Sequence, residues 1–239
     1  EGKGIMKIVG IQKNSFIDYR GRIAAVIFTP GCNMDCYYCH NRSIICGEGC
    51  RSNYKEEEVL DMLLRRRKFL DGVVISGGEP TLQSDLELFI DKIKDMGYKV
   101  KLDTNGTNPL ILERLVNSGR VDYVAMDIKG PFERYEEICG VNINLGDIER
   151  SLAFLMEGRV DYEFRTTVVP DLGENDILAI AERIKGAKRY ILQQFRQPEP
   201  VDGMVDYRAL RAPHTDSFIV KLSEMVKDMV QQQEIRGIG

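Results

Sequence analysis

The stretch Thr29-Pro30-Gly31-Cys32-Asn33-Met34-Asp35-Cys36-Tyr37-Tyr38-Cys39-His40-Asn41 follows directly on the apolar run 23–28. A strand that empties into a loop of three closely spaced cysteines supplies three thiolates from one place. An iron–sulfur cube held by four cysteines is coordinatively closed and can only pass electrons, whereas one held by three leaves an iron free to bind a substrate or cofactor. The same open position separates catalytic from structural zinc. Zinc itself would want a fourth ligand, and His40, adjacent to Cys39, is badly placed to close a tetrahedron with it. A disulfide would leave an odd cysteine in the loop and imply an oxidising compartment.

Outward from this loop, short β-branched runs alternate with helical patterns, the mark of βαβ units and a parallel sheet. Strands are expected at 23–29, 72–76, 99–104, 123–128, 162–169 and 189–194. Two short strands, 7–12 and 15–19, read as an antiparallel add-on beside the first of these. Ser84 and Glu87 make a capping box ahead of Leu86, Phe89, Ile90, Ile93 and Met96, with Gly97 as the stop. Asn53 is expected to cap a helix with Glu56, Glu57 and Glu58 in its first turn and Arg65, Arg66, Arg67 and Lys68 at its end. Those charges match the helix dipole, so the basic run reads as a helix end and not as a nucleic-acid site. A C-terminal helix over 216–232 carries Phe218, Ile219, Leu222, Met225, Val226, Met229 and Val230 on one stripe for core packing. The stretch 196–215 before it is long for an internal connection and reads as a functional loop or lid.

Length and composition fit one domain over residues 1–239, large enough to bury a core without staples. Hydrophobic residues make up 43% and charged residues 29%, and the longest apolar runs are of strand length, which argues against a membrane span. A net charge of -4 argues against broad attraction to nucleic acid or an anionic membrane. No basic region precedes an apolar signal core, so a cytoplasmic protein is expected. Residues 1–5, ahead of Met6, read as an expression remnant.

Parallel (β/α) architectures build their sites at the carboxyl ends of the strands. Here the second strand ends in Ser76-Gly77-Gly78-Glu79-Pro80, where paired glycines permit a close backbone approach and the glutamate can accept from an ammonium group. The third ends in Asp103-Thr104-Asn105-Gly106, and the fourth in Met126-Asp127-Ile128-Lys129. Asp127 and Lys129, two residues apart, point to one strand face, where they could meet a ribose hydroxyl and a carboxylate or form a salt-bridged rim. The fifth strand supplies Arg165 and Thr167, and the sixth ends at Gln194. Arg165 in a generic barrel is most often a structural ion-pair partner.

The C-x3-C-x2-C spacing with an aromatic before the last cysteine resembles the signature of the radical S-adenosylmethionine (SAM) superfamily, and Gly77-Gly78-Glu79 is similar to its motif for the SAM amino group. The runs at Asp103 and Asp127 look like those of the glycyl-radical-enzyme activases. The likeness extends from Gly10 through Gln193 and is strongest to the longer form of the activases of anaerobic (class III) ribonucleoside-triphosphate reductase. The pyruvate formate-lyase activases are the nearest in mechanism.

That resemblance implies a partial (β/α)6 barrel of radical SAM type, with a short N-terminal β add-on and a C-terminal helix. It implies one [4Fe-4S] cluster on Cys32, Cys36 and Cys39, whose open iron chelates the amino and carboxylate groups of SAM. Tyr38, His40, Gly77, Gly78 and Glu79 would meet SAM from the loops, His40 either stacking on adenine or packing at the loop base. Asp103, Thr104, Asn105, Asp127 and Lys129 would hold its ribose and carboxylate, and Arg165, Thr167 and Gln194 would face the same site. Asp103, Thr104 and Met126 are the expected lining of a monovalent cation site. The implied reaction is reductive cleavage of SAM to methionine and a 5′-deoxyadenosyl radical, which takes hydrogen from a glycine of a partner glycyl radical enzyme. A low-potential electron donor is required, and neither nucleic acid nor membrane is an expected partner.

Two other functions remain open on the sequence: a radical SAM enzyme acting on a small purine-like or pterin-like molecule, and a non-catalytic iron–sulfur electron carrier. The Gly77-Gly78-Glu79 and Asp103-Thr104-Asn105 runs disfavour the carrier, which needs no SAM pocket. Cys46, Cys50 and Cys139 are too few and too scattered for a second cluster. The Cys46/Cys50 pair reads equally as a redox-sensitive pair, a partial metal site or two inert thiols.

Overall fold

The computed structural model describes residues 5–45, 53–200 and 206–239. The apolar runs form strands β1 (Gly10–Ser15), β2 (Ala24–Thr29), β3 (Gly72–Gly77), β4 (Lys99–Thr104), β5 (Tyr123–Asp127), β6 (Asp161–Val168), β7 (Tyr190–Gln194) and β8 (Gln233–Arg236). They lie side by side in chain order in one sheet. β1 pairs antiparallel with β2, and every later neighbouring pair is parallel. The helices α1 (Glu56–Arg66), α2 (Leu86–Asp95), α3 (Pro109–Asn117), α4 (Tyr135–Cys139), α5 (Leu145–Met156), α6 (Glu174–Arg183) and α7 (Asp216–Val226) fall between the parallel strands. The six expected βα repeats are present, and β8 adds one more parallel strand to the partial barrel.

Strand periodicity sorts the side chains onto two faces. Ala25, Ile27, Val73, Ile75, Val100 and Leu102 join the large core beneath the helices. On the concave face Ala24, Val26, Val74, Tyr19 and Tyr123 make a small apolar plug. Beside the plug that face turns polar: Glu163 takes both guanidinium nitrogens of Arg236 at 2.8 and 2.9 Å and the Tyr123 hydroxyl at 2.9 Å. The barrel is left open between β1 and β8, and an ion pair of 2.5 Å from Arg20 to Glu234 spans that side near the strand starts.

Several local expectations are corrected. Ser84 caps nothing; its hydroxyl bonds the Asp85 carboxylate at 3.0 Å, and α2 starts without a side-chain cap. Asn53 bonds the Val9 carbonyl at 2.9 Å instead of capping α1. Ser15–Asp18 is a turn, not a second strand: the Ser15 hydroxyl receives the amides of Ile17 and Asp18. The helix read over 216–232 stops at Val226, and the chain turns back into β8 beside β7. Among the described residues no helix is long and apolar enough to cross a membrane.

Candidate functional site

The cysteine loop is pinned to the strand ends by backbone contacts. Gly78 N–H donates to Thr29 at 2.9 Å and Glu79 N–H to Gly31 at 2.8 Å. Asn41 Nδ2 bonds the Gly77 carbonyl and Gln83 Nε2 the Pro30 carbonyl, each at 2.8 Å. The glycine pair therefore serves the approach of two loops, because a β-carbon on Gly77, at φ 123°, would sit 2.3 Å from the Thr29 amide. This reason stands beside the sequence-based one, close approach to a ligand.

Above the plug lies a cavity of about 490 Å³ that reaches from the cysteine loop down the concave face. Cys32, Cys36, Tyr38, Cys39 and His40 line one end. Gly77, Gly78, Asp103, Thr104, Asn105, Asp127, Lys129, Arg165, Thr167 and Gln194 line the rest, so all but one of the residues expected to hold the cluster and SAM meet in a single space. The exception is Glu79, which lies behind the wall. Its buried carboxylate accepts from Thr81 N and Oγ1 at 3.1 and 2.6 Å, from Thr104 Oγ1 at 2.8 Å and from Asn105 N at 2.6 Å. Burial nevertheless outweighs these donors and raises its pKa. In this structure Glu79 ties the β3 and β4 loops together. Of the cation residues, Asp103 and Thr104 reach the cavity, while Met126 is buried in the helix-side core.

The charged wall is a relay of pairs. Lys129 Nζ lies 3.0 Å from Asp127 Oδ2, and Arg165 Nε bonds Asp127 Oδ1 at 2.7 Å. Arg165 Nη1 also reaches Asp103 Oδ2, at 3.3 Å, and Ser76 Oγ approaches the same oxygen at 3.2 Å. Burial alone would push Asp127 up, but the Arg165 and Lys129 charges win and hold it below the usual carboxylate range. Lys129 is likewise held above the usual lysine range by Asp127, against the effect of its burial. Arg165 is thus both the ion-pair partner and a group facing the cavity.

Burial pushes the Cys32 thiol up to about 11 and raises Cys39. Cys36 moves the other way, down to about 7, because the buried Cys139 thiol hydrogen-bonds it. Among the described residues no three His, Cys, Asp or Glu side chains converge on a point that would hold a single metal ion. A cube needs each sulfur on a different iron, so its three thiols need not converge on one point. Three buried polar atoms on the cavity wall have no hydrogen-bond partner: Tyr38 Oη, Asp103 Oδ1 and Gln194 Oε1. Buried polar groups are normally paired, so the wall fits a ligand rich in donors and acceptors. Three thiols at one end and this wall at the other fit a cluster with SAM.

Sequence reading passed over Lys101, which reaches the cavity between Asp103, at 3.4 Å, and Glu163, at 3.9 Å. Its alternation with Asp103 along β4 was the available signal. Arg236 lies beyond the helix read over 216–232, in a segment where no strand was expected. His214 is half-buried with Nε2 3.0 Å from the Leu172 carbonyl oxygen. Cys46 and Cys50 lie outside the described residues.

A family model of the radical SAM superfamily matches residues 26–184. A protein of Methanocaldococcus jannaschii, provisionally named a glycyl-radical enzyme activating enzyme, is 36% identical over 238 residues, covering 97% of this chain and 96% of the relative. The pyruvate formate-lyase-activating enzyme of Clostridium pasteurianum is 34% identical over 128 residues, 52% of each chain. Streptococcus suis SuiB, solved with S-adenosylmethionine bound, shares the fold with a TM-score of 0.67 at 14% identity, over 89% of this chain and 52% of that one. With the three-thiol loop at the rim of a matching barrel and a likeness running the length of a relative, this chain belongs to the radical SAM superfamily.

Proposed function

We propose that the chain is a glycyl-radical-enzyme activase, and that its partner is an anaerobic ribonucleoside-triphosphate reductase. The observation that carries the chemistry is one continuous cavity with three thiols at one end and the Asp103–Arg165–Asp127–Lys129 relay at the other. The full-length likeness to a relative provisionally named an activase supports a protein substrate over a small molecule. Cys32, Cys36 and Cys39 would hold the [4Fe-4S] cluster. When bound and reduced by a low-potential donor, the cluster supplies the electron that cleaves SAM to methionine and a 5′-deoxyadenosyl radical able to take hydrogen from the partner's glycine.

The protein's own task is positioning. Lys129, already charged beside Asp127, offers its remaining ammonium hydrogens to the SAM carboxylate. Asp103 Oδ1, which accepts no hydrogen bond and has the Lys101 ammonium at 3.4 Å, and Gln194 Oε1, which also accepts none, take hydroxyl and amine hydrogens of the nucleoside. Gln194 is fixed in that sense because its Nε2 is held by the His214 carbonyl at 2.7 Å. The buried wall keeps water from the reacting atoms, which must be held within roughly 3.5 Å of each other.

Anaerobic reconstitution followed by dithionite and SAM tests the reading. 5′-Deoxyadenosine should form, and a glycyl-radical doublet should appear by electron paramagnetic resonance when a class III reductase is added. A doublet on pyruvate formate-lyase instead would reassign the partner. SAM cleavage with no radical on either would redirect the search to a small substrate, and no cleavage at all would remove the radical SAM activity.

A further inference from the structure

We propose that Lys101 is a positioning residue of the SAM site: its ammonium stands beside Asp103 in the place of the monovalent cation that the sequence resemblance implies, so that the site needs no added alkali ion. The inference rests on the cavity being the SAM site, as argued above.

Period-two alternation along β4 sends Val100 and Leu102 into the helix-side core and Lys101 and Asp103 onto the concave face. Lys101 is 2% exposed, and a charge so buried has to be paired. Its ammonium donates to the Asp18 carbonyl and lies 3.4 Å from Asp103 Oδ1 and 3.9 Å from Glu163 Oε1. It also stands 5.7 Å from the centre of the Tyr123 ring. The charges around it alternate. Arg165 links Asp127 to Asp103, Lys101 links Asp103 to Glu163, and Arg236 closes the row on Glu163. Three cations thus match three carboxylates, and Lys129 on Asp127 adds a fourth, before any ion is supplied.

The side chains expected to line the cation site do not fit a metal ion. Hard cations take several oxygen ligands. Asp103 Oδ2 already receives Arg165 at 3.3 Å and Ser76 at 3.2 Å. The Thr104 hydroxyl donates to Glu79 at 2.8 Å and accepts the Gly106 amide at 3.1 Å. Met126 offers a thioether, a poor ligand for a hard ion, and its sulfur packs against Gly106, 2.9 Å from where a β-carbon would stand. What remains is Asp103 Oδ1, which faces the Lys101 ammonium. A metal ion there would meet the like charges of Lys101 and Arg165 for one free oxygen. The ammonium instead supplies the opposite charge that keeps the Asp103 carboxylate in place, and it leaves Oδ1 able to accept from a nucleoside hydroxyl.

The test measures SAM binding by equilibrium dialysis at matched iron content, in sodium, potassium and tetramethylammonium chloride of equal ionic strength. The parent protein should bind with the same affinity in all three. Lys101→Met should bind at least about tenfold more weakly in tetramethylammonium, because Asp103 and Glu163 lose the charge between them. Sodium or potassium should restore its binding toward the parent value, since oxygens of Asp18, Asp103 and Glu163 border the vacated space. Tetramethylammonium, its charge sheathed in methyl groups, cannot be ligated by them. Lys101→Gln, which keeps a donor for the Asp18 carbonyl, should show the same rescue and serves where the methionine variant loses its fold. Weaker binding by the parent protein in tetramethylammonium than in potassium would show that an alkali ion is needed and overturn the proposal. Variants that bind as the parent does, or equally weakly in all three salts, would overturn it as well, the latter leaving Lys101 a structural residue. No SAM binding by the parent protein in any salt would remove the SAM reading and the inference with it.

Discussion

A β-carbon on Gly78 would lie 1.7 Å from the carbonyl oxygen of Gly31. Neither atom can yield by a side-chain rotation, since the obstacle is backbone held by the Glu79 N–H at 2.8 Å. The β3 loop and the cysteine loop are therefore one mechanical unit, with Gly78 at their contact.

Gly78→Ala should accordingly damage the cluster site before it damages SAM recognition. Overpacking of a tight contact costs on the order of 1–3 kcal/mol, enough to displace the loop that presents Cys32. Iron content after anaerobic reconstitution should fall well below that of the parent protein while the circular dichroism spectrum stays the same. Full iron content in the variant would mean that the two loops move independently.

Arg165 joins Asp103 and Asp127 through one guanidinium, so its removal leaves two carboxylates facing a cavity meant for SAM. Breaking a buried ion pair costs about 3–5 kcal/mol, and each 1.4 kcal/mol that appears in binding is about tenfold in affinity. Arg165→Met should weaken SAM binding at least about tenfold, measured by equilibrium dialysis at matched iron content. Arg165→Lys should also bind more weakly, because one ammonium cannot make the forked contact. Parent-like affinity in both variants would place the SAM contacts elsewhere.

The strand-end residues were legible in the sequence because the topology of parallel sheets brings carboxyl ends together whatever lies between. Cys32, Asp103, Asp127 and Arg165 needed only correct strands to be predicted as neighbours, and the strands were marked by β-branched runs. Roles that depend on direction were less legible. Glu79 reads as an exposed acceptor, yet the β4 loop folds over it and saturates it from Thr104 and Asn105. β8 escaped notice because Gln233-Glu234-Ile235-Arg236 has one apolar residue and follows a helical stripe without a break; tertiary pairing with β7 decides it. Cys139 could not be joined to Cys36 by any spacing rule, since only the packing of α4 connects them.

Glu163 carries a pH dependence whose sign follows from its partners. Burial alone would raise its pKa, but the Arg236 hydrogen bonds and the charges of Lys101, Arg165 and Arg236 prevail and hold it down to about 2, against 4.5 ordinarily. A depressed carboxylate stabilises the fold above its unfolded pKa and loses that contribution as pH falls toward the folded value. The full contribution is of order 3 kcal/mol. Urea midpoints of the parent protein should therefore decline between about pH 4.5 and pH 2, and Glu163→Gln should be less stable at neutral pH with a flatter acid limb. Identical acid limbs would show that other carboxylates govern the loss.

The segment after β7 reads in the sequence as a functional loop or lid. Phe195 is fully buried and Met204 lies outside the described residues, whereas Arg196 lines the cavity and Tyr207 is exposed. Residues 206–211 are strapped to the cysteine loop. The Arg208 guanidinium lies 4.4 Å from the centre of the Tyr37 ring, and the Tyr37 hydroxyl bonds Asp171 at 2.7 Å. Arg211 pairs with the same carboxylate, and Gln197 holds the Leu210 carbonyl at 2.8 Å. Tyr37 sits between Cys36 and Cys39, so this strap braces the cluster loop from behind. Arg208→Ala with Arg211→Ala removes a cation–π contact and a half-exposed ion pair, together about 1–2 kcal/mol, which allows roughly a tenfold rise in loop opening. Iron should then be lost to a chelator several-fold faster than from the parent protein, at equal starting cluster content. A Tyr207→Ala variant leaves the brace intact and should release iron at the parent rate; if it also lowers glycyl-radical yield, Tyr207 contacts the partner. Unchanged release from the double variant would show that the strap holds only the final helix.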